Sequence, residues 1–383
     1  MSRVGHASRV LVVLPSWVGD AVMATPALCL LRRSMPGAYI GGLVRPGIDR
    51  ILGGLADDQG RAVFDEFHTH HPTGVLGPKF AAAKVRPRQY GSAVLLTNSF
   101  STALAVRIAG VRRRVGYERD GRGVLLTERL AAPKAQGRAG SGYAVVPAVD
   151  YYWHAVSAFL EPSTPPLVPP ALDHADRVEL GLPSSERLRL AVTEKDQAEF
   201  ERVVESIGLG ADEAVAVINP GGNNPAKRWP VERFAAVCDH LSSEHGLRVL
   251  INGSPAEAEV CSAIAEAAAT SPVVLSEHGG TLGSLKALCA RAAVMVTNDT
   301  GPRHIAAAMG CPVVSLFGPT DPRWTTIPTV PMADGSSSER VLVAEPNLEH
   351  GVIANDAPER CRVDRISVES VIGAVDDLLR RRG

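Results

Sequence analysis

The stretch Arg9–Val44, RVLVVLPSWVGDAVMATPALCLLRRSMPGAYIGGLV, changes its hydrophobic period twice. Arg9–Leu14 is a short run rich in β-branched residues, which reads as a buried strand. The loop Pro15–Asp20 follows it. From Ala21 to Met35 the apolar residues Ala24, Leu28, Leu31 and Met35 keep helical spacing, and Pro36-Gly37 ends the run. Pro26 lies early in this helix, where its fixed φ and missing N–H favour a kink. Tyr39–Val44 then reads as a second strand. A strand, a loop, a helix and another strand form the repeating unit of a parallel sheet with helices on both faces.

The same alternation extends outward. Strands are expected at Ala93–Leu96 and Arg114–Tyr117, helices at Thr102–Ile108 and Tyr151–Leu160, and loop or short strand over Arg122–Gly142. Glu161–Leu172 (EPSTPPLVPPAL) holds five prolines in twelve residues and predicts a semi-rigid extended connector. Thr193 reads as the N-cap of a helix over Glu194–Ile207 that stops at Gly208. Strands then fall at Ala214–Ile218, Arg248–Ile251, Val273–Leu275, Ala293–Thr297 and Val313–Phe317. Helices separate them at Phe234–Leu241, Ala256–Ala269, Leu282–Ala290 and Ile305–Met309. Ser367–Arg382 closes the chain as a helix with Val368, Val371, Ile372, Val375 and Leu378-Leu379 along one stripe. The pattern predicts two doubly wound α/β domains joined between Glu161 and Asp212.

Composition narrows the functional classes. At 383 residues and 45% hydrophobic, the chain suits two to three domains of about 150 residues each. Forty Lys+Arg against 41 Asp+Glu exclude a globally basic nucleic-acid binder. The six cysteines stand singly, as reduced, buried thiols of a cytosolic protein do. No apolar stretch approaches the roughly 18–20 residues needed to cross a bilayer. The N-terminal MSRVGHASRVLVVLPSW reads as a strand rather than a secretory signal, so a cytoplasmic location is expected.

Ligands of open parallel sheets bind at the carboxyl ends of the strands, which directs attention to four loops. In VTNDTGPRHIAAAMG (Val296–Gly310), Asn298, Asp299, Thr300 and Gly301 lead into a helix beginning near Pro302. Its free N–H groups and dipole suit a phosphate, with Arg303 adding a cation and His304 a hydrogen-bond donor. Ordinary capping by Asp299 or Thr300 is the competing reading. In INPGGNNPAKRWPVERF (Ile218–Phe234), Lys227 and Arg228 suit a departing diphosphate, because charge developing on a leaving group needs fixed counter-charge. The alternative there is a solvated loop whose Trp229 packs on the domain. LFGPTDPRW (Leu316–Trp324), with Gly318, Thr320 and Asp321, lines a nucleotide or sugar pocket or forms a plain turn. In PSWVGD (Pro15–Asp20), Asp20 is either an N-cap or a general base, and Gly19 permits the turn. FHTHHP, with His68, His70 and His71, lacks further ligands at metal spacing and reads as loop. Walker-type, dinucleotide and nucleophile-elbow signatures are absent.

Taken together, RVLVVLPSWVGDAVMATPAL, NPGGNNPAKRWP and TNDTGPRHIAAAMGCPVVSLFGPTDP resemble glycosyltransferase family 9, the heptosyltransferases of lipopolysaccharide core assembly. The opening PSWVGD resembles the heptosyltransferase II branch. The likeness covers roughly Arg9–Val44 and Ala214–Thr325. It implies a GT-B fold of two Rossmann-like domains facing across a cleft. Residues 1–185 would bind the acceptor, 186–212 would be linker and helix, and 213–383 would bind the ADP-sugar. By position, Asp20 matches the catalytic base, Lys227 the residue on the donor phosphates, and Asp299, Thr300, Gly301 and His304 the donor loop. Gly19 and Arg228 flank these as substrate contacts.

The implied reaction transfers heptose from ADP-heptose to a lipid A-core oligosaccharide with inversion, without cofactor, metal or nucleic acid. Peripheral contact with the inner membrane is expected, with Arg32, Arg33, Arg107, Arg112, Arg113 and Arg114 as basic-patch candidates. A family-9 enzyme with another nucleotide sugar or acceptor and a non-catalytic glycan- or nucleotide-binding scaffold are the alternatives. Residues 65–89 and 329–358 have no counterpart in the resemblance. Of the family's cysteine-rich C-terminal stretch only Cys361 remains.

Overall fold

The computed structural model describes residues 8–71, 74–135, 142–174, 176–222, 224–349 and 352–382. The N-terminal residues 1–7, Asn223 of the glycine-asparagine loop, Pro72 of FHTHHP and 136–141 of the turn-rich segment lie outside them. The chain divides into two compact units. One comprises the described residues up to Pro170 together with Gly181–Pro183, the other Ala171–Leu180 and the described residues from Ser184 onward.

The first unit runs β1 (Arg9–Val13), α1 (Val18–Met23), α2 (Thr25–Ser34), β2 (Tyr39–Val44), α3 (Ile48–Leu52), β3 (Glu66–Thr69), α4 (Gly77–Val85), β4 (Ser92–Leu95), α5 (Phe100–Ile108), β5 (Arg113–Tyr117), β6 (Glu128–Leu130) and α6 (Ala148–Leu160). Its strands lie in the order β3-β2-β1-β4-β5-β6. The expected helix over Ala21–Met35 divides at Ala24, and Pro26 occupies the first turn of α2, where a missing N–H has no helical partner to lose. Segment 65–89 contains β3 and α4, so His68 and its neighbours belong to a strand rather than to the expected loop. Only four residues long, that strand carries a single large apolar residue, Phe67, and lacks the apolar alternation that marks the others.

No helix or strand occurs among the described residues between Leu160 and Glu194. The second unit then runs α7 (Glu194–Ile207), β7 (Val215–Asn219), α8 (Val231–Ser243), β8 (Arg248–Ile251), α9 (Ala258–Ala267), β9 (Val273–Val274), α10 (Leu282–Arg291), β10 (Val294–Asn298), α11 (Gly301–Ala308), β11 (Val313–Phe317), β12 (Glu339–Val343) and α12 (Val368–Arg382). The order β12-β11-β10-β7-β8-β9 repeats the first topology. Every pairing within the two sheets is parallel. β7, β10 and β11 are buried along their whole length, as strands covered by helices on both faces must be. Thr193 and Asp196 form a reciprocal capping box at the start of α7, and Gly208 ends it at φ 60°. This helix packs on α10, where Lys286 reaches Asp196 at 2.6 Å.

Several cations expected on the surface hold the fold instead. Arg32 is buried and donates to the carbonyls of Pro36, Ala38 and Val63 and to Asp65. Arg113 grips Glu128 and the Phe159 carbonyl, and Arg114 donates to the carbonyls of Val111, Arg112 and Leu125. Of the remaining candidates, Arg107 and Arg112 are exposed and Arg33 is half-buried. Arg303, read as a phosphate-facing cation, is fully buried, pairs with Glu339 at 2.7 Å and lies over the Phe317 ring. It ties α11 to the edge strand β12, an element the sequence pattern did not reveal. Arg303→Met should cost on the order of 3–5 kcal/mol in a denaturant titration, because it leaves Glu339 as an uncompensated buried charge. A change below 1 kcal/mol, within the range typical of exposed pairs, would contradict this structural assignment.

Candidate active site

In each sheet the first strand stands in the middle, and the chain leaves it in one direction and later returns on the other side. The loops that follow the two strands flanking this reversal diverge, opening a crevice at their carboxyl ends. In the second unit those strands are β7 and β10. The loop after β7 carries Lys227 and Arg228, and the loop after β10 carries Asp299, Thr300 and Gly301.

The two loops are joined directly. The Nζ of Lys227 lies 2.8 Å from Asp299 Oδ2, and the Thr320 hydroxyl donates to the same oxygen at 3.1 Å. Burial pushes the Asp299 carboxyl upward, but the Lys227 and Arg303 charges and the Lys227 hydrogen bond outweigh it, and the group stays below its ordinary range. Lys227 is half-buried and Arg228 exposed, its Nε donating to the Gly222 carbonyl at 2.8 Å. Trp229 packs edge-on against Phe234 and donates Nε1–H to Ile366 O at 2.9 Å, as its packing reading required.

Neither Asp299 nor Thr300 caps α11 with its side chain, so the capping reading of this loop does not hold. Thr300 stands at the N-cap position, and its hydroxyl accepts from Asn219 Nδ2 at 3.1 Å and donates to the Asn298 carbonyl at 3.3 Å. Gly301 and Pro302 open the helix. His304 is buried in the same turn and its Nδ1 has no partner. Burial first and the Arg303 charge second push its pKa down to about 3, so the ring is neutral at pH 7. A neutral buried imidazole beside a helix start can donate to an anion without adding a charge of its own.

Sequence reasoning missed the scaffold beneath these loops. Asn219 and Asn298, both buried, end β7 and β10. Asn219 accepts from Asn252 at 2.7 Å and donates to Thr297 and Thr300, each at 3.1 Å, while Asn298 donates to the Pro220 carbonyl at 2.7 Å. An Asn closing an otherwise apolar strand, as in VAVIN and VMVTN, was the available signal. Asp321 is not a pocket group. It is buried, pairs with Arg323 and accepts from the Ala354 N–H.

In the first unit the reversal lies between β1 and β4. A cavity of about 410 Å³ opens there, lined by Ser16, Asp20, Arg45, His70, Asn98 and Tyr152 among others. Asp20 is the third residue of α1, whose N-cap position belongs to Trp17, so the capping reading of Asp20 is also overturned. Its Oδ1 accepts instead from the Tyr152 hydroxyl at 2.9 Å. Burial, reinforced by Asp20, holds the Tyr152 phenol well above its usual pKa, so it acts as a donor. Gly19 is a buried residue within α1 rather than a turn residue. His68 turns from any metal role to a 2.7 Å hydrogen bond with Tyr90, and His71 is exposed. A different trio, His240, His245 and Asp376, converges between the α8 end and α12, each Nε2 lying 2.7 Å from Asp376 Oδ1.

Comparison with known proteins gives a concordant result. The family model for glycosyltransferase family 9 (heptosyltransferase) matches residues 81–347. Lipooligosaccharide heptosyltransferase 2 of Haemophilus influenzae is 27% identical over 345 residues, covering 88% of this chain and 90% of that protein. Lipopolysaccharide heptosyltransferase 2 of Escherichia coli is 26% identical over 323 residues, covering 83% and 84%. The solved structure of E. coli ADP-heptose lipopolysaccharide heptosyltransferase II superposes with a TM-score of 0.71 at 24% identity, over 97% of this chain and 98% of that one. That likeness identifies the pair of Rossmann-like units as a GT-B fold. With the family match spanning more than half of the chain and the fold agreeing from end to end, this protein belongs to glycosyltransferase family 9.

Proposed function

We propose that this glycosyltransferase moves heptose from ADP-heptose to the inner core of lipopolysaccharide, as a heptosyltransferase II does. The observation that carries the reading is the linked pair of loops at the β7/β10 reversal, where Lys227, Asp299 and the start of α11 meet. In this reading Lys227 and Arg228 hold the donor diphosphate, with Thr300, Gly301 and His304 contributing hydrogen bonds at the helix start. Asp20 takes the proton from the acceptor hydroxyl as that oxygen attacks the anomeric carbon. The bond from that carbon to the diphosphate breaks, ADP leaves with the electron pair, and the configuration inverts.

Fixed cations and helix-start N–H groups supply the counter-charge that the leaving diphosphate needs. Tyr152, by donating to Oδ1, fixes which way the Asp20 carboxylate points. A lipid-linked acceptor implies work at the cytosolic face of the inner membrane. Among the described residues no helix is long and apolar enough to cross a membrane.

Asp20→Asn should lower transfer by about 10²–10⁴-fold, the range for a lost general base, while ADP-heptose affinity stays near wild type. Full activity in that variant would remove Asp20 from the chemistry. Lys227→Met should weaken ADP binding in a calorimetric titration by roughly tenfold to a hundredfold, as expected for a lost charge-assisted contact. The main alternative, a family-9 enzyme using another nucleotide sugar, is separated by thermal shift. A donor at 100 times its dissociation constant should add about 2.7 kcal/mol, so ADP-heptose should stabilise the protein where UDP- and GDP-sugars do not. The reverse order would favour the alternative.

A further inference from the structure

The trio His240, His245 and Asp376 lies in the second unit, and the transfer chemistry assigns it no part. α8 carries the chain from the carboxyl end of β7 back to the amino end of β8, and His240 stands in its last turn. His245 lies two residues past the helix end. Gly246 turns the chain there at φ 62°, and the N–H groups of Gly246 and Leu247 return to the carbonyls of Ser242 and Leu241. This closure sets the His245 ring against that of His240, with centroids 5.2 Å apart and planes at 73°. Asp376 comes from α12, which its neighbours Val375 and Leu378 seat on the core. The three side chains therefore meet at the edge of the sheet opposite the loops that follow β7 and β10.

Their polar atoms converge on one point. Each Nε2 lies 2.7 Å from the same oxygen, Asp376 Oδ1, and all three ligand atoms fall within 4.8 Å of one another. Among the described residues no Lys or Arg pairs with Asp376, whereas the adjacent Asp377 is held by Arg340 and Arg381. The Asp376 carboxylate thus faces two imidazoles in place of a fixed cation. Two imidazole nitrogens and one carboxylate oxygen suit zinc and its neighbours rather than magnesium or calcium, which take oxygen ligands. Zinc bonds of about 2.0–2.1 Å keep tetrahedral neighbours about 3.3 Å apart. Reaching that spacing from the present 2.7 Å moves each Nε2 about 0.6 Å away from Oδ1. His245 is exposed and the other two are half-buried, so the side chains have room for this adjustment and water can complete the coordination.

We propose that His240, His245 and Asp376 bind a divalent transition-metal ion of the zinc class, which clips the closing helix α12 to the end of α8. The ion joins Asp376 to histidines 131 and 136 positions away in the chain. Coordination uses the Nε2 lone pair of each imidazole, so each neutral ring carries its proton on Nδ1. The unfolded chain does not hold the three groups together, so binding favours the folded state. Placed at the far edge of the sheet, the ion acts on stability and leaves the transfer chemistry untouched.

The test uses the untagged full chain, stripped with a chelator and dialysed, and its His245→Gln and Asp376→Asn variants. Zinc chloride and magnesium chloride are titrated calorimetrically, and the Tm is read with and without each salt. Wild type should bind zinc, gain Tm with it and not respond to magnesium. Each variant should lose at least about tenfold in zinc affinity, since disturbing even an outer-shell partner of a metal costs that much. The zinc-dependent rise in Tm should disappear with it. The exposed His71→Gln variant controls for histidines elsewhere on the surface and should bind zinc as wild type does. Should Asp376→Asn fail to fold, the exposed His245→Gln decides alone. A wild type whose Tm ignores zinc, with variants lower in Tm whether or not zinc is present, would reduce the trio to a hydrogen-bonded cluster and overturn the proposal. Undiminished zinc affinity in the two variants, or its loss in His71→Gln, would overturn it as well. None of these readings involves the sugar donor or acceptor.

Discussion

A parallel sheet that begins in its middle strand must reverse direction once, and at the reversal two loops leave the sheet on opposite sides. Nothing in the sheet's own hydrogen bonding fills the space between them. Both units of this chain are built in this way, at β1/β4 and at β7/β10. In the second unit an ion pair between Lys227 and Asp299 bridges the two loops. Each loop is also held from below, by Asn219 and Asn298, whose amides donate to the Thr297 and Thr300 hydroxyls and to the Pro220 carbonyl.

Burial sorts the cations of this region into two kinds. Arg303 is fully enclosed, and its bonds to Ser315, Thr325 and Glu339 fix α11 on the sheet. Lys227 and Arg228 keep contact with solvent. A guanidinium with its donors committed inside the protein cannot reorganise around a ligand, whereas a half-exposed ammonium on a flexible stem can. The neutral state of His304 follows from the same crowding, since another positive charge beside Arg303 would be costly there.

The first unit treats its acid in a similar way. Asp20 lies one turn into a short helix, and a tyrosine from α6, 132 residues further along the chain, fixes its carboxylate. The cavity wall combines this acid with one exposed cation, one neutral histidine and many hydroxyls. Such a surface suits a polar ligand better than an apolar one.

Much of the architecture was legible in the residues. Strands such as Val313–Phe317 and helices such as Glu194–Ile207 carry strong periodicity and clear end signals, and local propensity agrees with their tertiary setting. The short β3 and the half-buried edge strand β12 escaped, because neither shows the continuous apolar run that full burial imposes on central strands. The four loops were found by their residue types alone, but the work of each side chain was not. Whether Arg303 or Arg32 faces solvent, whether Asp20 caps a helix or meets a tyrosine, and where His70 lies all depend on partners distant in sequence. Local sequence determines the period of the backbone and the chemistry available at the strand ends. Tertiary packing alone decides which of those groups lose water and which remain free to meet a ligand.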